Sequence, residues 1–264
     1  MVNHRYEGDY KNLLLKTLES GQLHEVRDGN SAYQLFGESL EFSGRSGLFP
    51  MLTSKKMYFK NIKFELSWML KGLTNIEYLK QNEVSIWDLW ADENGELGDT
   101  YGAKLRNFNN VDQIKTILKE LKESSYSRQL VVSLRDPLAI SKGNRKPCYH
   151  AFQFVAIGRT LNIQVSQRSA DLFVGLPYDM CTFHLLLSLA AKSIGMNIGT
   201  VKISIGNAHI YKEHVEAVET YLGNNQFALP KLINNQSGVI DFDISKVWIV
   251  DYESCDFIKA KIIA

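Results

Sequence analysis

The chain has 264 residues, 45% apolar and 22% charged, the proportions of a globular protein with a packed core. Lys and Arg number 30 against 29 Asp and Glu, so the net charge of +1 gives no overall field toward nucleic acid or membrane, although a local basic site is compatible with it. Three cysteines, Cys148, Cys181 and Cys255, are too sparse and uneven for a disulfide framework and suit a reducing compartment. The opening "MVNHRYEGDYKN" lacks the apolar stretch of a signal peptide, and no apolar run reaches the ~20 residues of a membrane helix. The expectation is a cytoplasmic protein, bacterial or made by a virus in its host. With no repeat, low-complexity tract or Pro/Gly/Ser linker, a single domain is expected over 1–264.

In chain order, "YKNLLLKTLESG" (10–21) has helical spacing and a closing Gly21, and "SAYQLFGESLEF" (31–42) alternates as a strand does. "NIKFELSWMLKG" (61–72) is a mostly apolar helix stopped at Gly72, with Glu65 set between Phe64 and Leu66. "VDQIKTILKELKES" (111–124) is an amphipathic helix with Asp112 as its N-cap. "RQLVVSL" (128–134) is a buried strand, and "HAFQFVAI" and "TLNIQVSQ" form a hairpin around Gly158-Arg159. "MCTFHLLLSLAAKSIG" (180–195) is a buried helix, and "VKISIGNAHIYKEHVEAVETYLG" is a strand running into a helix. Adjacent strands with separate helices indicate an α+β fold.

Several residues are chemically conspicuous, each with a plain structural alternative. Cys148 in "RKPCYHAFQF" is either a buried inert thiol or a thiolate nucleophile stabilised by nearby positive charge. Glu65 is either structurally paired or a proton-transfer group in a cleft. Arg27, Arg128 and Arg168 are either surface residues or, gathered together, a phosphate clamp, because guanidinium matches phosphate oxygens in a fork. His209 and Tyr211, two apart in an extended segment, are either a satisfied interior histidine and a packed tyrosine or a pair facing one side together. Trp87 and Trp90 suit a core or a stacked ligand. In "QRSADLFVGLPYD", Asp179 stands just before an apolar helix, where it either caps that helix or contacts a ligand.

"IWDLWADENGELGDTYG", "YSRQLVVS", "PCYHAFQF", "QRSADLFVGLPYD" and "HIYKEH" together resemble thymidylate synthase and its close relatives, in order over nearly the whole chain from about Arg27 to the final "IKAKIIA". The resemblance implies an α+β homodimer with sheets packed back to back, acting on a nucleotide and 5,10-methylenetetrahydrofolate without a metal, nucleic acid or membrane. It implies Cys148 as nucleophile and Glu65 as proton relay. Arg27, Arg168, Ser169 and Gln129 would hold phosphate, with Arg128 reaching the partner subunit's site. His209 and Tyr211 would hold the sugar hydroxyl, and Tyr101 and Asp179 would complete the nucleotide site. Ile86, Trp87, Trp90, Asp171, Gly175, Tyr178 and the terminal Ala264 would surround the folate.

The departures from this pattern carry information. Synthases have Asn where this chain has Asp179. That Asn donates to uracil O4 and accepts from N3–H, whereas an ionised carboxylate cannot donate. Cytosine offers a 4-amino donor and an N3 that accepts, or donates once protonated, so a carboxyl group suits it in either protonation state. Tyr149 replaces the His that usually follows the nucleophile, and phage dCMP hydroxymethylases, which the sequence also resembles here, likewise lack that His and carry Asp at the discriminating position. Gln129 replaces a second arginine, Arg145 and Lys146 replace smaller or apolar residues, and Ala264 ends the chain in place of a larger aliphatic residue. The resemblance therefore implies 5-hydroxymethylation of dCMP. The alternatives are C5 methylation of dCMP or dUMP, and an inactive relative that binds nucleotide or RNA.

Overall fold

The computed structural model describes residues 4–26, 29–45, 47–136 and 147–263. Its centre is a six-stranded mixed sheet. Helix α1 (His4–Ser20) leads to β1 (Gln22–Glu25) and β2 (Ser31–Ser43), and the helices α2 (Phe59–Leu70), α3 (Glu77–Gln81), α4 (Tyr101–Asn107) and α5 (Gln113–Glu123) precede β3 (Val131–Ser133). The hairpin β4 (Tyr149–Ile157) and β5 (Thr160–Asp171) is followed by α6 (Gly175–Ser193), β6 (Asn197–Tyr211) and α7 (Val215–Gly223). A small antiparallel pair, β7 (Lys231–Asn234) and β8 (Val247–Val250), completes the α+β fold. The strand order is β1-β2-β6-β5-β4-β3. Among the described strands only β5 and β6 run parallel, because α6 makes the crossover between them.

Most expected elements are present, with shifted ends. α1 starts six residues before the expected position 10, and it stops at Gly21, where a Cβ would lie 2.3 Å from the Thr17 carbonyl. α2 ends before Gly72, whose φ of +71° is the left-handed conformation that closes a helix. Asp112 caps α5 by accepting from the Lys115 N–H at 2.9 Å. The strand expected over 128–134 shortens to Val131–Ser133, because a turn bonding the Val131 N–H to the Gln129 carbonyl occupies its start. α6 begins at Gly175 rather than 180, so Asp179 lies inside the helix and does not cap it. The N-cap position is Val174, without a side-chain cap, and Asp171 orders the turn that leads into the helix, its Oδ1 accepting from the Phe173 and Val174 N–H groups at 2.9 and 3.1 Å. Pro177 fits the first turn, where no N–H is needed.

The sheet breaks its own alternation at one level. Side chains alternate faces with period 2, so burial should stay on one parity along a strand. In β6 the buried set is Val201, Ile203 and Ile205, then passes to Ala208 and Ile210. In β5 it runs through Leu161, Ile163, Val165 and Gln167, then passes to Ala170. In β4 it changes between Phe152 and Tyr149, where the ladder shifts register. Tyr149 pairs with Gln167, Gln167 with Ile205, and Ser169 with Asn207, so the three breaks lie side by side. Beyond them, Asn207, His209 and Tyr211 take the odd-numbered positions and are half-buried polar groups in place of core.

α1 and α6 cover one face of the sheet, meeting through Tyr6, Phe42 and His184. The other face carries cross-strand rows that no helix buries. One row is Val131, Gln153, Gln164, Lys202 and Glu41; the next is Ser133, Ala151, Ser166, Ser204 and Ser39. Every one of these residues keeps partial or full exposure.

A buried carboxylate joins the N-terminal helix to the rest. Glu7, 2% exposed, accepts from the Thr53 and Ser54 N–H groups, from Thr53 Oγ1 at 2.6 Å and from the Tyr221 hydroxyl at 2.8 Å. Replacing it strands all these donors. Glu7→Ala is expected to lose about 3 kcal/mol or more of folding stability, and an unchanged denaturation midpoint would contradict this role.

Candidate active site

Cys148 lies immediately before β4, half-buried. The local backbone fixes it from two sides. Its N–H donates to the Tyr101 hydroxyl at 2.7 Å, and its carbonyl accepts from the Arg168 N–H at 2.9 Å. Arg168 in β5 also donates from Nε to the Pro147 carbonyl at 3.0 Å. The guanidinium is thereby tied to the backbone that carries the thiol, where positive charge favours the thiolate.

The break in β5 and β6 brings the next polar group together. Ser169 Oγ is 3.4 Å from His209 Nδ1, which is 3.1 Å from Asn207 Oδ1. Asn207 in turn donates to Gln34 Oε1 at 2.6 Å. Burial, the largest influence on His209, holds its pKa below the usual value. The neutral tautomer that donates Nδ1–H to Asn207 leaves Nε2 to accept from a hydroxyl. The Tyr211 ring stands edge-on to His209 at 5.1 Å, so the pair shares one side of β6 as expected.

Two carboxyl groups form the third part. Glu65 projects from α2 and accepts from Trp87 Nε1 at 2.8 Å. Burial pushes its pKa up to about 8, the negative charge of Asp179 adds to this, and the Trp87 hydrogen bond opposes it. Asp179 accepts from Gln167 Nε2 at 2.7 Å. Its pKa is pushed up to about 7, chiefly by burial, against the Gln167 hydrogen bond. Both groups therefore titrate near neutrality, a property of proton-transfer sites. Tyr149, between them and the core, is 4% exposed, bonds Met69 Sδ at 3.3 Å and stacks on Tyr101 at 4.5 Å.

An aromatic wall adjoins Glu65. Trp87 contacts Trp68, Trp90 and Tyr101 with ring separations of 5.4–5.8 Å, and Ile86 and Trp90 keep partial exposure. Gly175 and Tyr178 occupy the start of α6, with the Tyr178 hydroxyl accepting from the Tyr58 N–H at 3.4 Å. Asp171 connects this region to the tail: its Oδ1 is 3.8 Å from His214 Nδ1, and His214 Nε2 bonds the Lys261 carbonyl at 2.8 Å.

Arg128 and Gln129 are not brought to Cys148 within the chain. Both are exposed in the turn before β3, and the Leu130 carbonyl bonds the Phe154 N–H, midway along β4. At strand rise this is roughly 20 Å from Cys148. Arg27, Arg145, Lys146 and Ala264 lie outside the described residues. Sequence reasoning missed Gln167, Asn207 and His214. Asn207 was detectable, being two residues before His209 in the same alternating strand. Nothing in the sequence marked Gln167 as the partner of Asp179.

Two comparisons bear on this geometry. The family model described as thymidylate synthase matches residues 8–264. A thymidylate synthase from Malacoplasma penetrans (strain HF-2) is 37% identical over 286 aligned positions, covering 96% of this chain and 99% of that protein. A match over this much of both chains leaves one conclusion. The chain belongs to the thymidylate synthase family and is a one-carbon transferase that acts at C5 of a pyrimidine nucleotide, with 5,10-methylenetetrahydrofolate as co-substrate.

Proposed function

We propose that the chain, folded as one catalytic unit, 5-hydroxymethylates dCMP. The observation that carries this is the carboxyl group of Asp179, held by Gln167 and pushed up to a pKa of about 7. With a proton on Oδ2, Asp179 donates to cytosine N3 while the same oxygen keeps a lone pair for the Gln167 amide. Oδ1 then accepts from the 4-amino group. When ionised, Asp179 still accepts from the 4-amino group and from a protonated N3 but has nothing to donate to uracil O4, and a mispaired buried polar group costs ~1–3 kcal/mol.

The remaining roles follow from chemistry. The Cys148 thiolate adds to C6 and turns C5 into a nucleophile. The folate supplies the one-carbon unit, and the apolar surface of Ile86, Trp87 and Trp90, with Gly175, Tyr178 and Asp171, fits a flat ring system beside Glu65. Ala264 would close over it from the tail. Glu65 passes protons to and from position 4 of the base. Arg168 and Ser169, with Arg27, take the phosphate, His209 and Tyr211 take the sugar hydroxyl, and Tyr101 supports the Cys148 backbone. Once the C5 proton is removed and tetrahydrofolate has left, water adds at the exocyclic methylene so formed and the Cys148 thiolate is expelled from C6. Methylation of dCMP or dUMP by hydride transfer is the second proposal, favoured by the relative's name, thymidylate synthase. Retention of Cys148, Glu65 and Arg168 argues against an inactive binding protein.

The uncovered rows of the sheet, small at Ser133, Ala151, Ser166, Ser204 and Ser39, support a back-to-back homodimer. In it Arg128, distant from its own Cys148, would reach the partner's phosphate. Mixing inactive Cys148→Ala with inactive Arg128→Ala subunits should restore part of the activity, since one site of the mixed dimer keeps both residues. No recovery despite proven subunit exchange would refute the shared site.

Asp179→Asn should shift preference from dCMP toward dUMP. The amide gives a fixed donor for O4 and an acceptor for N3–H, and removes the proton offered to cytosine. The expected swing in relative kcat/KM is about tenfold to several hundredfold, one or two buried hydrogen bonds changing hands. Loss on dCMP should exceed gain on dUMP, because Tyr149 stays in place of the usual His. An Asn variant with undiminished dCMP selectivity would overturn the assignment of Asp179.

A further inference from the structure

The groups around Cys148 use one end of β5, β6 and α6. At the other end of the same three elements lies a cavity of about 860 Å³. Thr160 and Asn197, from the first residues of β5 and β6, line it together with Ser188 and Lys192 of α6 and Arg45 from the turn after β2. Cys148, Glu65, Arg168 and Asp179 do not line it. Along α6, Lys192 is roughly 20 Å from Asp179, so the two sites are separate.

His184 forms part of the cavity wall. It is 1% exposed, and among the described residues neither ring nitrogen has a hydrogen-bond partner. Burial lowers its pKa to about 3, so at neutral pH the ring presents one N–H donor and one bare acceptor. An unsatisfied buried polar group costs ~1–3 kcal/mol, and most such groups find a partner. The ring is held edge-on by Phe42 and Phe49 at 5.1 and 5.3 Å. Gly44 stands beside it: a Cβ there would lie 2.4 Å from His184 Nε2, so only glycine allows the backbone this close. The imidazole is thus built into the wall but left without a partner.

The charge of the lining indicates the partner. Arg45 and Lys192 are its cations, and among the described residues no Asp or Glu lines it. The Lys192 ammonium is held by the Asn234 carbonyl. Ser188 Oγ accepts from Asn234 Nδ2 at 2.9 Å, which leaves its own hydroxyl proton to donate. We propose that this cavity is a second, non-catalytic binding site for a small anion bearing phosphate or carboxylate oxygens, with Arg45 and Lys192 meeting its charge and His184 and Ser188 donating from the wall. The volume falls in the range of small-molecule sites. The site does not depend on which base the catalytic centre accepts.

The test follows the ring nitrogens of His184 by NMR in the full-length protein labelled at histidine. Inorganic phosphate and citrate are each titrated at constant ionic strength set with chloride. His184 is assigned with His184→Gln. The expected result is a saturable shift of the His184 signals by at least one of the two anions, with a dissociation constant of about 1 mM or tighter. Phosphate alone would identify a phosphate ester as the ligand class, and citrate alone a carboxylate. Arg45→Glu with Lys192→Glu, both exposed positions, should weaken the binding about tenfold or more while the thermal midpoint and turnover stay unchanged. No saturable shift with either anion, or an equal shift in the double variant, would overturn the proposal.

Discussion

The side-by-side break in alternation across β4, β5 and β6 is the constraint on which the rest of the site depends. A regular sheet would keep the odd positions of β6 in the core to its end, as Val201, Ile203 and Ile205 are. Because β5 and β6 change parity at paired residues, the register between them survives while the outlook of the side chains does not, and β4 follows through a one-residue register shift at Tyr149. The sheet thus stays hydrogen-bonded and still releases Asn207, His209 and Tyr211 from the core. Arg168 and Ser169 lie in the same interruption on β5, and Cys148 enters at its edge on β4. A single-strand bulge would have moved one of these groups and left the others behind.

The second determinant is the low polarity around the two carboxyl groups. Glu65 and Asp179 come from different helices, and each is pushed toward neutral pH mainly by burial. The hydrogen bonds from Trp87 and Gln167 limit this, so both groups remain able to change protonation state. A group limited to accepting would serve one face of a base. A carboxyl that both donates and accepts serves a base whose N3 changes protonation during nucleophilic addition. This is the physical basis for connecting Asp179 with cytosine in the proposed reaction.

Much of this architecture was legible in the sequence because it rests on local pattern. The spacing of 111–124, with Asp112 at its start, gives α5 and its cap, and Gly158 places the β4–β5 turn. The start of α6 was not legible. Asp179 precedes the most apolar stretch and has the chemistry of a cap, but the helix already begins at Gly175, after a turn held by the Asp171 side chain. The strand over 128–134 was too long for a similar reason, since composition does not reveal the turn at Gln129. The parity break was invisible because neither "QRSAD" nor "IGNAH" departs from alternation until the neighbouring strand is known. The roles of Arg168 and His209 came from their resemblance to a family pattern; Asn207, beside His209 in the same alternating strand, was within reach of the sequence, whereas Gln167 as the partner of Asp179 required the fold. His184 gave no signal, being one polar residue in an apolar helix.

Because the same covalent steps lead to either product, the most direct measurement is the mass of the nucleotide formed. The protein is incubated with 5,10-methylenetetrahydrofolate and dCMP, CMP or dUMP in turn. The expected result is a product from dCMP that carries a hydroxymethyl group, with dUMP turned over far more slowly. A methylated product, lighter by one oxygen, or a clear preference for dUMP would contradict the assignment of this chain as a dCMP hydroxymethylase.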